Sequence, residues 1–379
     1  MATKTRRKIE IYEDYWKFTA SWTNLYGTKF NNCLNIIINY IDQNWQAITN
    51  LSESDFRTSN IYTKLQQNIA YAMNFKGSDA NLSARKAVNM FVKLGFINPY
   101  LKGYHKLVKK FILTNIKEQK QILFSKIFYE SSSLASDVTC DNRHLKHISF
   151  FLRTLDKNRV LNSNDLKALM VTDITQFKKG YLTREELNSQ YRYAMANAFE
   201  ERKYNQISHL KSYLSNFIDI VYDKRNDEFK FATDIDIVNE EVRKSYQRDP
   251  IKYRIYRTEL KQESVSVYGK EVCYVEKKPF KGLTASHIKP SHICLREHND
   301  DQAYDVNNGL LLSPNVDAYF DKFDITFDDN GKIIFGKQVP LEIRRELEFK
   351  GLDKIILNDD RKIYMSYHRK TFSERNELN

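Results

Sequence analysis

Cysteine, glycine and proline are scarce in this 379-residue chain, and each shortage excludes something. The four cysteines (Cys33, Cys140, Cys273 and Cys294) lie far apart with no CxxC pair. That spacing argues against a disulfide frame or a cysteine-rich zinc site, and for a reducing compartment. With only 11 Gly and 6 Pro, the chain lacks the turn residues of an all-β fold and has the composition of long helices. No 18-residue apolar run occurs, and the basic opening MATKTRRKIEIYEDYW leads into no apolar stretch. Neither a membrane span nor secretion is expected, and a cytoplasmic location is.

What is present is aromatic and basic. Aromatic residues make up 13%, with 24 Tyr and 23 Phe, enough to build a sizeable core. The length suits two or three domains. A net charge of +12 brings a polyanion onto the list of partners, whether nucleic acid or an anionic surface. The excess is uneven. From Ile251 to the end there are 22 Lys+Arg against 21 Asp+Glu, a net of +1, so the first 250 residues carry +11.

Residues 13–217 read mostly as helix. Phe30, Leu34, Ile37, Ile41, Trp45 and Ile48 recur at steps of three or four, an apolar stripe. Ser83 is placed to cap a helix from Ala84 to Leu94, closed by Gly95 and leaving Arg85, Lys86, Asn89 and Lys93 outward. Ser163 is placed to cap a short helix carrying Leu166, Leu169 and Met170. A later helix carries Ile207, Leu210, Leu214 and Phe217 on one face, with Ser208, His209, Lys211 and Ser212 on the other. Ile220–Tyr222 and Phe229–Phe231 follow, flanking the turn Lys224-Arg225-Asn226-Asp227. Helices followed by such a hairpin resemble a winged helix, whose last helix enters the major groove. Arg85, Lys86, His209 and Lys211 are the DNA-contact candidates here, because phosphate contacts need cations on one element.

The chemistry lies further on. Leu283–Ile288 is a short β-prone run containing His287, followed by a polar loop of about twenty residues. Asn308-Gly309 then opens a second run, Leu310–Leu312. Ser313 fits an N-cap and Pro314 the first helical position of a helix to about Lys322. Asp317 and Asp321, four apart, share one face of it and are expected to look back at His287. Asp324–Phe327 and Lys332–Phe335 flank Asn330-Gly331, a hairpin signal, and Leu341–Glu348 reads as helix.

Taken singly, each residue has an ordinary explanation: a strand-end histidine bonded to backbone, an acid near a helix N-terminus, a common turn. Their order and spacing do not. The pattern AHIxP, then NGLLL, then a helix with DxxFD, closing on Tyr364-Met365-Ser366-Tyr367-His368-Arg369, resembles the HNH (ββα-metal) endonuclease family from about Arg254 to Phe372. That resemblance implies His287 as general base and Asn308 as the residue that braces the loop and orients it. It implies Asp317 as a metal ligand, with Asp321 adding a second oxygen. Carboxylate ligands favour a hard cation, Mg²⁺ or Mn²⁺. Lys289, His368 and Arg369 are candidates to touch phosphate. The sequence departs from many family members at Ser286, where an Asp or His metal ligand often precedes the base. It also lacks the CxxC zinc clamp that others carry.

The expected fold class is α+β: a helical recognition region (1–155), a winged-helix-like domain (156–250) and a nuclease domain (251–379). A basic reader fused to an HNH domain resembles a bacterial type II restriction endonuclease. Its expected partner is double-stranded DNA, cut by a homodimer formed at least on DNA. The alternatives are a modification-dependent HNH endonuclease and a DNA-binding regulator that has lost activity; the intact His287, Asn308 and Asp317 set argues against the last.

Overall fold

Residues 16, 18, 20–232 and 248–377 are described by the structure, a computed structural model. The basic opening, and residues 233–247 near the end of the expected reader, lie outside the described residues. The chain is α+β and divides into two units, Met1–Asn239 and Glu240–Asn379. Among the described residues, no helix is long and apolar enough to cross a membrane.

The first unit opens on helices α1 (Thr28–Gln43), α2 (Asn60–Ala72), α3 (Ala80–Lys93), α4 (Lys117–Ser131) and α5 (His147–Asn158). The stripe on α1 is buried through Phe30, Leu34, Ile37 and Ile41. Trp45 is a correction: the helix stops at Gln43, the chain turns at Asn44, and the indole is left 47% exposed. Aromatic edges and faces fill the interior. The Phe30 ring meets Phe91 at 4.9 Å and Phe96 at 5.7 Å, and Phe96 meets Phe111 at 4.9 Å, all close to edge-on.

Helix α3 corrects two expectations. It begins a turn earlier than a Ser83 cap would allow, after Asp79. Lys93, expected outward, is buried, because the chain after α4 folds over the last turn. Ser133 N–H donates to the Lys93 carbonyl, and Lys93 Nζ donates to the carbonyls of Ser136 (2.6 Å) and Leu134 (3.4 Å). Gly95, at φ +84°, ends the helix in the left-handed region that favours glycine.

Next come β1 (Leu161–Asn162), α6 (Ser163–Met170), α7 (Arg184–Ala196), α8 (Phe199–Leu214), β2 (Ile220–Asp223) and β3 (Glu228–Phe231). Asn162, not Ser163, caps α6: its side chain accepts from Asn164 N–H and Asp165 N–H, while Asp165 reaches back to Asn162 N–H. The reciprocal bonds satisfy donors that Ser163, already inside the helix, could not reach. Helix α8 buries Ile207, Leu210 and Leu214 and leads into the antiparallel β2–β3 hairpin. Strand β1 pairs with the other edge of β3, giving the order β1–β3–β2.

The second unit starts with α9 (Pro250–Tyr268), capped by Asp249 and closed by Gly269. Strand β4 (Thr284–His287) pairs antiparallel with β5 (Gly309–Leu312), with His287 opposite Gly309 and Ser286 opposite Leu310. The loop between them is folded, through α10 (Ser291–Arg296) and a tight turn at Val306–Asn308. Then follow α11 (Pro314–Phe320), the hairpin β6 (Ile325–Phe327) and β7 (Ile333–Phe335), α12 (Leu341–Leu347) and α13 (Asp359–Glu377). Ser313 caps α11 as its sequence suggests. Strand β5 is buried at every residue, and its leucines join Phe320, Ile325, Phe327 and Met365 in one core.

Candidate active site

Alternation along β4 decides which side chains can meet. Thr284 and Ser286 point to one face, Ala285 and His287 to the other. Asp317, in the first turn of α11, meets Ser286 and Thr284, whose hydroxyls draw its pKa down. This corrects the expectation that the Asp317 face looks at His287; its partner on the strand is the residue before. Burial outweighs the two hydroxyls and raises the Asp317 pKa, and the Asp321 charge adds to the rise. Asp321 itself is exposed, at the C-terminal end of the helix.

His287 faces α9. Its ring stacks on Tyr256 with centroids 4.7 Å apart and planes 14° from parallel. Nε2 lies 3.0 Å from the Ala303 carbonyl, an acceptor only, so Nε2 carries the proton and Nδ1 keeps its lone pair. Burial holds the imidazole pKa down, to about 4; the Arg248 charge acts in the same direction and the Ala303 bond opposes it. The ring is therefore neutral, and able to accept a proton, across the physiological range.

Asn308 is fully buried and spends its whole amide on the loop. Its Oδ1 accepts from Lys289 N–H at 2.7 Å, and its Nδ2 donates to the carbonyls of Lys289 (3.0 Å) and Gln302 (2.9 Å). The two ends of the loop that carries Ala303 are thus tied together. Asn308 touches the backbone around His287 rather than the ring.

Four residues hold the site in roles that the sequence does not display, although Gly309 and Tyr364 belong to its motifs. The Tyr256 hydroxyl sits between the carbonyls of Ser286 (3.2 Å) and Asn308 (3.3 Å), bridging both strands beneath His287. Gly309 is what lets it in, since a Cβ there would run into that hydroxyl. Arg361 is fully buried; it pairs with Glu263 at 2.9 Å and donates to the Val306 carbonyl at 3.0 Å. Tyr364 donates to Asp305 at 2.9 Å. Helix α13 thereby clamps the turn that ends in Asn308. The one available signal was the 256/309 juxtaposition, a large residue against none, which no spacing rule displays.

The phosphate-contact candidates of this unit are engaged elsewhere. His368 is a correction: it is 1% exposed, donates Nε2–H to the Phe320 carbonyl (3.1 Å), meets Thr326 Oγ1 through Nδ1 (3.0 Å) and stacks on Phe320 at 4.0 Å. It sits on the inner face of α13, so it braces the core and cannot reach a ligand in solvent. Arg369 pairs with Asp329 (2.8 Å) and donates to the Phe327 carbonyl. Lys289 pairs with Glu297 (2.6 Å) and donates to Gln302.

In the first unit, Arg85 and Lys86 are exposed on α3, and among the described residues no carboxylate pairs with either. Lys211 on α8 is different: it pairs with Asp227 (2.8 Å), which also accepts from Tyr222 (2.6 Å) and Ser163 N–H (3.2 Å). His209 is half-buried, and burial lowers its pKa. The outer side of α8 forms, with the turn of the hairpin and the start of α6, an open concavity of about 560 Å³ that includes Lys211, Lys224, Tyr204 and Tyr222.

A metal has a partial set of oxygens to bind. Among the described residues, no group of three or more His, Cys, Asp or Glu side chains could hold an ion. Yet burial and the Asp321 charge raise the proton affinity of Asp317, beside the buried hydroxyl of Ser286. A half-buried carboxylate beside a second negative charge is what a hard cation would relieve.

A strand ending in histidine, a second strand opened by Asn-Gly and a helix bearing a carboxylate pair define a ββα unit. Residues 269–328, which span all of it, match the family model for HNH endonuclease. No curated protein matches the chain.

Proposed function

We propose that this protein is a sequence-specific double-stranded DNA endonuclease of the type II restriction class. The observation that carries the reading is the tautomer of His287. Its Nε2–H is tied to Ala303, leaving a neutral Nδ1 as base on a unit that matches the HNH family. In the proposed reaction a water oxygen bonds to phosphorus and loses its proton to His287 Nδ1, while the P–O3′ bond breaks and the 3′ oxygen takes a proton from solvent. Asn308 and Tyr256 hold the strand ends and loop so that this nitrogen stays in place. Asp317 and Asp321 would hold Mg²⁺ or Mn²⁺, which supplies positive charge to the phosphoryl and leaving oxygens.

The first unit is the proposed reader. Helix α8 followed by a hairpin, with the order β1–β3–β2, supports a winged-helix-like arrangement within residues 156–250, and residues 1–155 add Arg85 and Lys86 on α3. One HNH site cuts one strand, so a homodimer on DNA accounts for a double-strand break. Incubation of the full chain and of His287→Ala with methylated and unmethylated plasmids, each with Mg²⁺ or Mn²⁺, tests the reading. The expected result is metal-dependent breaks at a fixed sequence in unmethylated plasmid by the wild type alone. Cutting confined to methylated plasmid would establish the modification-dependent alternative, and binding without cutting by the wild type the inactive regulator.

A further inference from the structure

The outer face of α8 is not a ridge. The start of α6 and the turn of the β2–β3 hairpin flank it, and together they border the open concavity of about 560 Å³. A helix that reads a groove by insertion has to stand clear of its neighbours. Along this face α8 can instead receive a group that projects from its ligand.

The lining narrows the choice of group. Lys167 and Lys211 are balanced by Glu200 at 2.6 Å and Asp227 at 2.8 Å, so the interior gains little positive charge from them. A phosphate backbone needs uncompensated cations, and Lys224 lies on the exposed hairpin turn at the rim. Ser215 and Asn216 are spent at the helix end: Ser215 Oγ donates to the Lys211 carbonyl, and Asn216 Nδ2 to the Ser212 carbonyl. Tyr222 is braced too, stacked on Phe229 at 4.5 Å and bonded to Asp227. Ser208 and Ser212, four apart on one face, present hydroxyls, and Tyr204, a turn earlier, presents a ring that is 63% exposed. A charge-balanced interior with hydroxyls and an aromatic face suits a flat, uncharged, hydrogen-bonding ligand. A nucleobase has that chemistry, and the volume is that of a small-ligand pocket.

We propose that the concavity along α8 takes a single nucleobase extruded from the bound duplex, stacked on Tyr204 and read by Ser208 and Ser212, with Lys224 at that nucleotide's phosphate. This rests on the DNA-reading half of the proposed function. It moves part of the sequence reading out of the groove and into a pocket of the first unit. The base is unpaired and unstacked to reach it, at a cost that is least where its pair is already weak.

The test uses the full-length protein and a duplex selected from a random pool by binding to it. Each nucleotide of the selected sequence is replaced in turn by an abasic one, and Kd is measured for the wild type and Tyr204→Ala. Tyr204→Ala should weaken binding of the intact duplex by roughly 5–150-fold, the scale of one lost base–aromatic stack, while its thermal melt matches the wild type. At one position the abasic replacement should erase that difference, since the ring then has no base to lose. A mismatch opposite the same position should tighten wild-type binding about tenfold, because the unpairing is already done. Ser212→Ala should relax base preference at that position alone. Equal binding of the intact duplex by wild type and Tyr204→Ala, or a difference that persists at every abasic position, would overturn the proposal. So would deoxynucleoside monophosphates that bind in a Tyr204-dependent way while DNA does not, since the base would then come from free nucleotide. If no sequence is selected, the reader fails and this inference falls with it. If a sequence is selected but stays uncut with Mg²⁺ or Mn²⁺, only the nuclease reading fails.

Discussion

His287, at the end of β4, and His368, in the middle of α13, are nearly the same residue by every bulk measure. Both are buried, both are held to a pKa of about 4 chiefly by burial, and both rest flat on an aromatic ring. Both bond through Nε2 to a backbone carbonyl. The difference is one nitrogen. Nδ1 of His368 meets Thr326 Oγ1, so the ring has no valence left; Nδ1 of His287 keeps a lone pair. Burial and a shifted pKa thus fail to separate the proposed base from a brace, and the unspent acceptor is what distinguishes them. The same contrast runs through the cations of the first unit. Lys211 is committed to Asp227, whereas Arg85 and Lys86 are not committed to any described carboxylate.

The largest effect should come from exchanging the two histidines' fates. His287→Ala should reduce cleavage by roughly 10²–10⁴-fold, the usual scale for a lost general base, with a loss of stability from the stacking and the Ala303 bond that is too small to account for it. His368→Ala should leave cleavage per folded molecule unchanged and lower stability by about 2–4 kcal/mol, since it empties a stacked site and removes two buried hydrogen bonds, to Thr326 and to the Phe320 carbonyl. Cleavage rates and thermal melts on the same two samples check both halves. A catalytic defect in His368→Ala at full folding would break the comparison.

Next in size is Asn308→Ala. Three backbone groups, Lys289 N–H and the carbonyls of Lys289 and Gln302, would lose the amide that joins them in the interior. A destabilisation of about 2–4 kcal/mol is expected, with cleavage falling as well because Ala303 no longer stands fixed beneath His287. Asn308→Asp keeps the acceptor for Lys289 N–H but turns a carboxylate on two carbonyls, so it should rescue neither property. Denaturant melts of the two variants decide this.

The motif order made the ββα unit readable, because its signals are local. A cap at Ser313, an Asn-Gly before β5 and an i, i+4 carboxylate pair are facts about neighbours in sequence. The expectation failed where packing at a distance decides. Lys93 lay on an outward position of its helix until the chain after α4 closed over it. His368 belonged to a recognised closing motif, yet nothing in that motif tells which way α13 turns its histidine. Tyr256 and Arg361 reach the site from α9 and α13, on either side of it in sequence, and no spacing links them to His287. Helix spacing sets Asp317 towards the first strand, but strand alternation gives it Ser286 in place of His287.

Acid pH should draw on both histidines together. Their folded pKa values lie near 4, below the ordinary 6.5, so between these limits the unfolded chain binds protons that the folded chain refuses. Stability contributed by the neutral rings is complete above about pH 6.5 and is lost as the pH falls towards 4. Urea midpoints of the wild type and of His368→Phe, measured from pH 7 to 4.5, should converge as the pH drops, because the variant lacks one of the protonation penalties, which buried His147 shares. Parallel curves would show that His368 is not among the groups responsible. Cleavage should keep its base down to about pH 4, so any loss of activity above that is loss of fold.

The smallest effects test the cations. Arg85→Ala and Lys86→Ala should each weaken DNA binding modestly and lower the slope of log K against log salt by about 1, if each releases one counterion. Lys211→Ala should change that slope less, because its ammonium already neutralises Asp227, which also accepts from Tyr222 and Ser163 N–H. Its cost is expected mainly in stability, at about 1 kcal/mol, the net value of a partly exposed charged hydrogen bond. A salt slope that fell by a full unit in Lys211→Ala would mean that DNA displaces Asp227 from the lysine. The concavity along α8 would then be a surface opened by its ligand, and the division between committed and uncommitted cations would hold only in the absence of DNA.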